Sequence, residues 1–210
     1  MGRILTAHAS ALHELAQSPG LPAAARDGLL RGAAERVERA MRCEVPGPDT
    51  RLNHANLLEG RGDLPGAEAT LRRLAADYPT FAKGLGNLAR LLLARAAAEP
   101  ARAAALHAEA DDLSARAVAA APRDPIVANT RGIVCYTLRG AADALPHLQR
   151  AVAVQPAYFE AQRNLGVAWQ ALGEPQRALD CWRPLLAQRP DDAVRARQVS
   201  EAEAALAERR

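Results

Sequence analysis

The chain has 210 residues, of which 49% are apolar and only 3% aromatic, and its net charge is +3. That length suits one ordinary domain or an array of small repeats, and an apolar fraction dominated by alanine, with few β-branched residues, excludes a large sheet and points to closely approaching helices. Arginine and acidic residues alternate without a dense basic run, which argues against a nucleic-acid footprint, and the scattered Cys43, Cys135 and Cys181 suggest neither a disulfide framework nor a metal-binding Cys-x-x-Cys but buried reduced thiols.

Two helices, 3–17 and 22–44, are predicted first, on either side of the breaker Ser18-Pro19-Gly20-Leu21-Pro22. Pro46-Gly47-Pro48 separates them from the remainder of the chain. From there a period emerges. Pro122, Pro156 and Pro190 are 34 residues apart, as are Ala110, Ala144 and Ala178, Asn53 and Asn87, and Thr130 and Asn164. One step, Pro79 to Pro122, is 43 residues and carries an insertion of nine. The insertion lies within ARAAAEPARAAALHAE, which contains one breaker, Glu99-Pro100, and proline is favoured at a first helical position. One helix is therefore expected to run to about Ala98 and the next to begin near Ala101. Residues 193–208 read as one amphipathic helix. No segment is apolar and long enough for a signal peptide or a bilayer span, so a cytoplasmic location is expected.

Within the period, Leu165-Gly166, Trp169, Ala178, Trp182, Leu185 and Pro190 form the clearest unit. Gly132, Cys135, Ala144, Leu148, Ala151 and Pro156 fill matching slots one unit earlier, and Ala55, Leu58, Ala67, Leu71, Leu74 and Pro79 do so in the first. This pattern resembles the tetratricopeptide repeat (TPR) family, whose unit is a 34-residue helical pair. The resemblance covers Pro48 to Arg210. It implies an all-α fold, a right-handed α-α superhelix or TPR solenoid with helical caps at both ends. The expected divisions are an N-terminal pair at 1–47 (a degenerate repeat or cap), helical pairs at 48–81, 82–124, 125–158 and 159–192, and a capping helix at 193–210. Small residues at Ala55, Ala89, Gly132 and Gly166 would let the two helices of a pair approach. Trp169 and Trp182 are expected to be largely buried. His54 and Arg131 stand where leucine is usual, so looser packing is expected there, with His54 a satisfied core histidine. Gly140 arrives one residue late for its turn.

The segment KGLGNLA, Lys83 to Ala89, contains G-x-G-x-x-A and the chain's only lysine. A dinucleotide fingerprint needs a preceding strand and a helix beginning at the glycines. Neither is predicted, so these glycines are read as small residues inside a packed helix. By the resemblance, the second, fifth, sixth, ninth and twelfth positions of each unit line a concave groove. Asn53, Asn56, Lys83, Asn87, Arg90, Asn129, Thr130, Tyr136, Arg163, Asn164 and Gln170 are the partner-binding candidates there. An asparagine amide carries donors and an acceptor, so a ladder of them can hold an extended peptide backbone. This is similar to the asparagine ladder of O-linked N-acetylglucosamine transferases; the competing reading is hydrogen bonding between neighbouring helices. The carboxylate clamp of chaperone-binding TPR domains lacks its basic residues here, since Leu52, Ile126 and Thr130 fill those slots.

His8, His13, His54, His107 and His147 share no metal-ligand spacing and no nucleophile motif. The expectation is a non-enzymatic scaffold without cofactor or metal, binding a peptide or protein, with acidic residues favoured by the groove cations. The alternatives are a recognition subunit acting in trans for a glycosyltransferase, sulfotransferase or hydroxylase, and a homo-oligomerisation module.

Overall fold

The computed structural model describes residues 2–16, 18, 21–42 and 46–208, with the side chains of residues 2, 3, 13 and 14 excepted. Cys43, read as a buried thiol, lies outside the described residues. These residues form eleven α-helices and one short 3-10 turn, with no strand among them. The helices are α1 (Gly2–Ala16), α2 (Ala23–Met41), α3 (Pro48–Gly60), α4 (Leu64–Asp77), α5 (Ala82–Ala98), α6 (Ala103–Ala120), α7 (Pro125–Arg139), α8 (Ala141–Val154), α9 (Phe159–Ala171), α10 (Pro175–Gln188) and α11 (Ala193–Ala207). No helix among the described residues is long and apolar enough to cross a membrane.

The periodic prolines end helices in one way. Tyr78, Ala121, Gln155 and Arg189 each cap a helix one residue before a proline, and all four have φ between −134° and −140° and ψ between 71° and 87°. A proline disfavours the helical conformation in the residue before it, so the sequence biases each of these chain turns locally. The turns inside pairs use glycine. Gly62 and Gly173 have φ of 81° and 73°, and the next residues, Asp63 and Glu174, return N–H bonds to Leu58 and Trp169 carbonyls at 2.9 Å. Only glycine adopts that left-handed conformation without a Cβ penalty. Gly140, one residue late, does the same with φ 96°. There α7 runs on to Arg139, and Gly140 alone joins it to α8.

The chain divides into two compact units, Met1–Leu88 and Ala89–Arg210, with the boundary inside α5. In the first, Ala9, Ala33 and Val37 form a small apolar cluster with Leu12, Met41 and Leu57 against it. The buried hydroxyls of Thr6 and Thr50 join α1 to α3 at 2.6 Å. Gly84 faces Leu74: a Cβ there would meet Leu74 Cδ2 and Phe81 Cδ1 at 2.9 Å. Gly84 of KGLGNLA therefore serves close helix approach, and no strand precedes it among the described residues.

In the second unit Trp182, 1% exposed, packs with Leu179, Leu185 and Val199. Its indole Nε1 donates to the Arg163 carbonyl at 3.2 Å. A Cβ on Gly166 would lie 2.1 Å from that nitrogen, so only glycine leaves room for the ring. Trp169 departs from expectation: it is half-buried, with the Arg177 guanidinium 4.5 Å over its ring. Cys135 is buried, and Cys181 is half-buried with its thiol pushed up to about 11 by burial and then by Asp180, so it stays protonated at neutral pH. The insertion lengthens α5 and α6 to 17 and 18 residues, where the other array helices have 13 to 15. Glu99 sits at the break and is held by Arg95 Nε at 2.9 Å and Arg102 Nη1 at 3.0 Å.

The leucine-slot substitutions differ from expectation in kind. Arg131 is tied to the preceding helix, α6. It donates to the Asp111 carbonyl, Asp111 Oδ1 and Ser114 Oγ at 3.0, 2.6 and 2.8 Å. Arg139 reaches the same carboxylate. The two guanidiniums, Arg139 foremost, hold the Asp111 carboxyl below the usual range. Polar bonds between α6 and α7 thus replace an apolar contact. His54 is half-buried but not satisfied, since its Nδ1 is buried without a hydrogen-bond partner. Burial lowers its pKa, against the opposing pull of Glu38. A neutral ring tolerates an unfilled acceptor far better than a charged one tolerates an unfilled donor.

Candidate partner-binding surfaces

Each unit places two of the candidate asparagines in contact. In the first, Asn87 Nδ2 on α5 donates to Asn56 Oδ1 on α3 at 2.8 Å. Asn56 is exposed and Asn87 half-buried. Lys83, one helical turn before Asn87, is exposed, and no ion pair holds it among the described residues. Asn53 points elsewhere, donating to Ser10 Oγ of α1 at 3.0 Å.

In the second unit Asn164 Nδ2 on α9 donates to Asn129 Oδ1 on α7 at 2.9 Å. This pair is more enclosed. Asn129 is 4% exposed. Thr130 is buried as well. Arg163, beside Asn164, is exposed and makes no ion pair among the described residues. Arg90 is half-buried and has an interaction of its own.

An amide has two donors and two acceptor lone pairs. One bond between partners leaves the rest of that capacity, which in the first unit faces solvent. The amides thus do both things the sequence allowed: they join neighbouring helices, and they keep hydrogen-bonding groups at the surface. Asn129 and Thr130 are the exceptions, because they are closed off.

Tyr136 and Gln170 line an open trough in the second unit, and it has two chambers. One, of about 110 Å³, is walled by Ile133, Tyr136, Leu148, Asn164 and Val167. The other, of about 190 Å³, is walled by Tyr136, Val167, Gln170, Trp182, Gln198 and Glu201. Gln170 Oε1 is buried without a partner. The sequence reading missed Ile133, Val167 and the α11 residues Gln198 and Glu201. The spacing of Arg195, Val199 and Ala202 carried a signal, since it puts one face of α11 against α10 and so places Gln198 and Glu201 beside it. Among the described residues no group of three or more His, Cys, Asp or Glu could hold a metal ion.

With this geometry in hand, the class is plain: an all-α helical-repeat protein with the TPR solenoid fold. No protein-family model and no curated protein matches the sequence. Solved structures do match. A thermophilic TPR protein of Thermus thermophilus, TTC0263, is 20% identical over 96% of this chain and 98% of its own, with a TM-score of 0.77. YrrB, described as a TPR protein with an unusual peptide-binding site, is 22% identical over 81% of this chain and 84% of its own, with a TM-score of 0.56. An O-GlcNAc transferase of Thermobaculum terrenum is 22% identical over 67% of this chain but only 26% of its own, with a TM-score of 0.56. At these identities the likeness is one of fold.

Proposed function

We propose that the chain is a non-enzymatic scaffold, needing no cofactor, that binds an extended segment of a partner protein on the faces carrying its paired asparagines. The observation that carries this reading is the Asn56–Asn87 pair. It is a pair of amides, Asn56 exposed and Asn87 half-buried, with unused donors and acceptors, one turn from an exposed lysine that no ion pair holds among the described residues. Amides grip a peptide backbone whatever its side chains, and the cation favours acidic residues in the ligand. The Asn164 amide beside Arg163 offers the same chemistry in the second unit. YrrB has this fold and is described as having a peptide-binding site, which supports a peptide as the ligand class. The four helical pairs from Pro48 onward, three of 34 residues and one of 43, are, in this reading, the units that repeat the binding face.

The test is to capture partners with the whole chain and then titrate a captured partner against Asn87→Ala and Lys83→Glu. Both should weaken binding, Asn87→Ala by roughly tenfold, the effect of removing about 1.4 kcal/mol of hydrogen bonding. Wild-type affinity should fall with added salt. Unchanged affinity in both variants rejects the reading. A complex that proves to be a second copy of the chain would make this surface an oligomer contact.

A further inference from the structure

One charged side chain in the second unit is out of place. Arg195, in the first turn of α11, is 3% exposed. A buried guanidinium normally has a carboxylate, because an unpaired charge taken out of water is strongly destabilising. Among the described residues no carboxylate forms an ion pair with Arg195. Asp192 is close, but it caps α11 by accepting the Arg195 backbone N–H at 2.9 Å. The guanidinium instead has one neutral partner, Gln198 Oε1, reached from Nη1. It lies 5.7 Å from the centroid of the Trp182 ring, and its Nε is buried without any partner. Desolvation lowers its pKa, the nearby Asp192 charge opposes that shift, and Arg163 adds a like charge.

Both side chains that surround Arg195, Gln198 and Trp182, also wall the larger chamber of the trough. Neither arginine is itself among the chamber's walls: Arg195 touches two of them, and Arg163 shares one face of α9 with two more, Val167 and Gln170, at spacings of four and three residues. Its rim acid, Glu201, is accounted for by Arg197 at 3.5 Å. The adjoining smaller chamber, across the shared Tyr136 and Val167, is walled mainly by apolar side chains.

We propose that this trough is an acid-reading subsite: a carboxylate of the bound peptide displaces the Gln198 amide from Arg195 and is flanked by Arg163, while an apolar side chain two positions away fills the smaller chamber. The exchange is favourable in kind, since a guanidinium bonds a carboxylate more strongly than an amide, and a bidentate approach engages the idle Nε together with a terminal nitrogen. The two-residue spacing follows from an extended ligand, whose alternate side chains point the same way. The proposal rests on the peptide-binding reading above and names the ligand residues that the second unit selects.

The chain has two tryptophans, so two indole N–H signals in a proton–nitrogen NMR spectrum report the site, assigned with a Trp169→Phe variant. The probes are N-acetyl-Leu-Gly-Glu-amide and its reversed order, with Gln and Lys in place of Glu as controls. A Glu peptide in one order should shift the Trp182 indole saturably, and its Gln counterpart should bind at least about tenfold more weakly. Arg163→Gln should remove that preference. Because Arg163 is exposed, this variant reads the subsite without testing the core. Arg195→Gln should remove it too. Equal binding of Glu and Gln peptides, a preference for Lys, or no saturable shift up to about 10 mM overturns the proposal. If that happens while Asn87→Ala and Lys83→Glu still weaken a captured partner, only the subsite falls. If those variants are silent as well, the peptide-binding reading falls with it.

Discussion

The two units solve the same contact in opposite ways. In the first, Asn87 meets the exposed Asn56; in the second, Asn164 meets the buried Asn129. The later asparagine occupies the same repeat position in both. Its partner does not: Asn56 is the ninth residue from Pro48, whereas Asn129 is the fifth from Pro125. Those two positions lie one helical turn apart on one face, and that turn decides whether the pair is covered. An asparagine at a fixed place in a repeat is therefore not one kind of residue. Where solvent reaches it, the amide is available to a ligand. Where it is enclosed, as Asn129 is, the amide is part of the core.

The sharpest way to break this contrast is to disturb the packing on which the second unit's enclosure depends. Trp182→Ala should destabilise the chain by roughly 3–5 kcal/mol, the usual cost of removing a buried aromatic ring. Urea denaturation measures it. A loss under about 1 kcal/mol would mean that Trp182 is not the centre of that core. Next in size, Asn164→Ala should lower stability by about 1–3 kcal/mol, because it strands the buried Asn129 carbonyl without a donor. An unchanged melting curve would show that the second pair is as open as the first.

A pH series reads the same contrast more gently. His54 in the first unit and His147 in the second both have pKa values lowered by burial from 6.5. The folded chain therefore binds protons less readily than the unfolded chain. The stability these rings contribute is whole above pH 6.5 and is lost as pH falls through that value toward their folded pKa. Their surroundings differ. For His54 the next influence is Glu38, which opposes the shift, whereas for His147 it is Arg131, Arg150 and Arg139, which reinforce it, with Asp143 opposing. Thermal melts at pH 7.5 and 5.5 should thus converge more for His147→Gln than for His54→Gln. The reverse order would show that the arginines around His147 are screened.

The fold was legible because its determinants are local. Prolines at 34-residue steps fix the chain turns, and the small residue in each pair meets a large one across the gap, Gly132 against Leu148 and Gly166 against Trp182. The glycines of KGLGNLA could be separated from a nucleotide fingerprint for the same reason. The candidate surface was legible only in its residue types. That Asn53 turns to Ser10, that Arg131 ties α7 to α6 through Asp111, and that Arg195 is buried all depend on which residues of the next helix face it. A period does not carry that information. Trp169 shows the limit from the other side, since its slot is right but the cover over it is an arginine instead of a helix.

The smallest expected change in stability belongs to the first unit, and it bears most on function. Asn87→Ala removes a bond whose acceptor, on the exposed Asn56, water can satisfy at once. The melting temperature should therefore hardly move, because an exposed group loses little with its partner. Lys83→Glu should be equally silent, since no ion pair holds Lys83 among the described residues and surface charges contribute little. Binding should respond differently. A ligand backbone that uses the free half of the Asn87 amide loses a bond that water does not replace within a closed contact, and the reversed charge at position 83 repels acidic ligand residues. The decisive measurement is the pair of numbers for each variant, melting temperature against ligand affinity. Variants that hold their melting temperature and lose affinity would establish that the open asparagine pair is kept for a partner. Variants that lose both, or neither, would make it an ordinary helix contact like the one between Asn164 and Asn129.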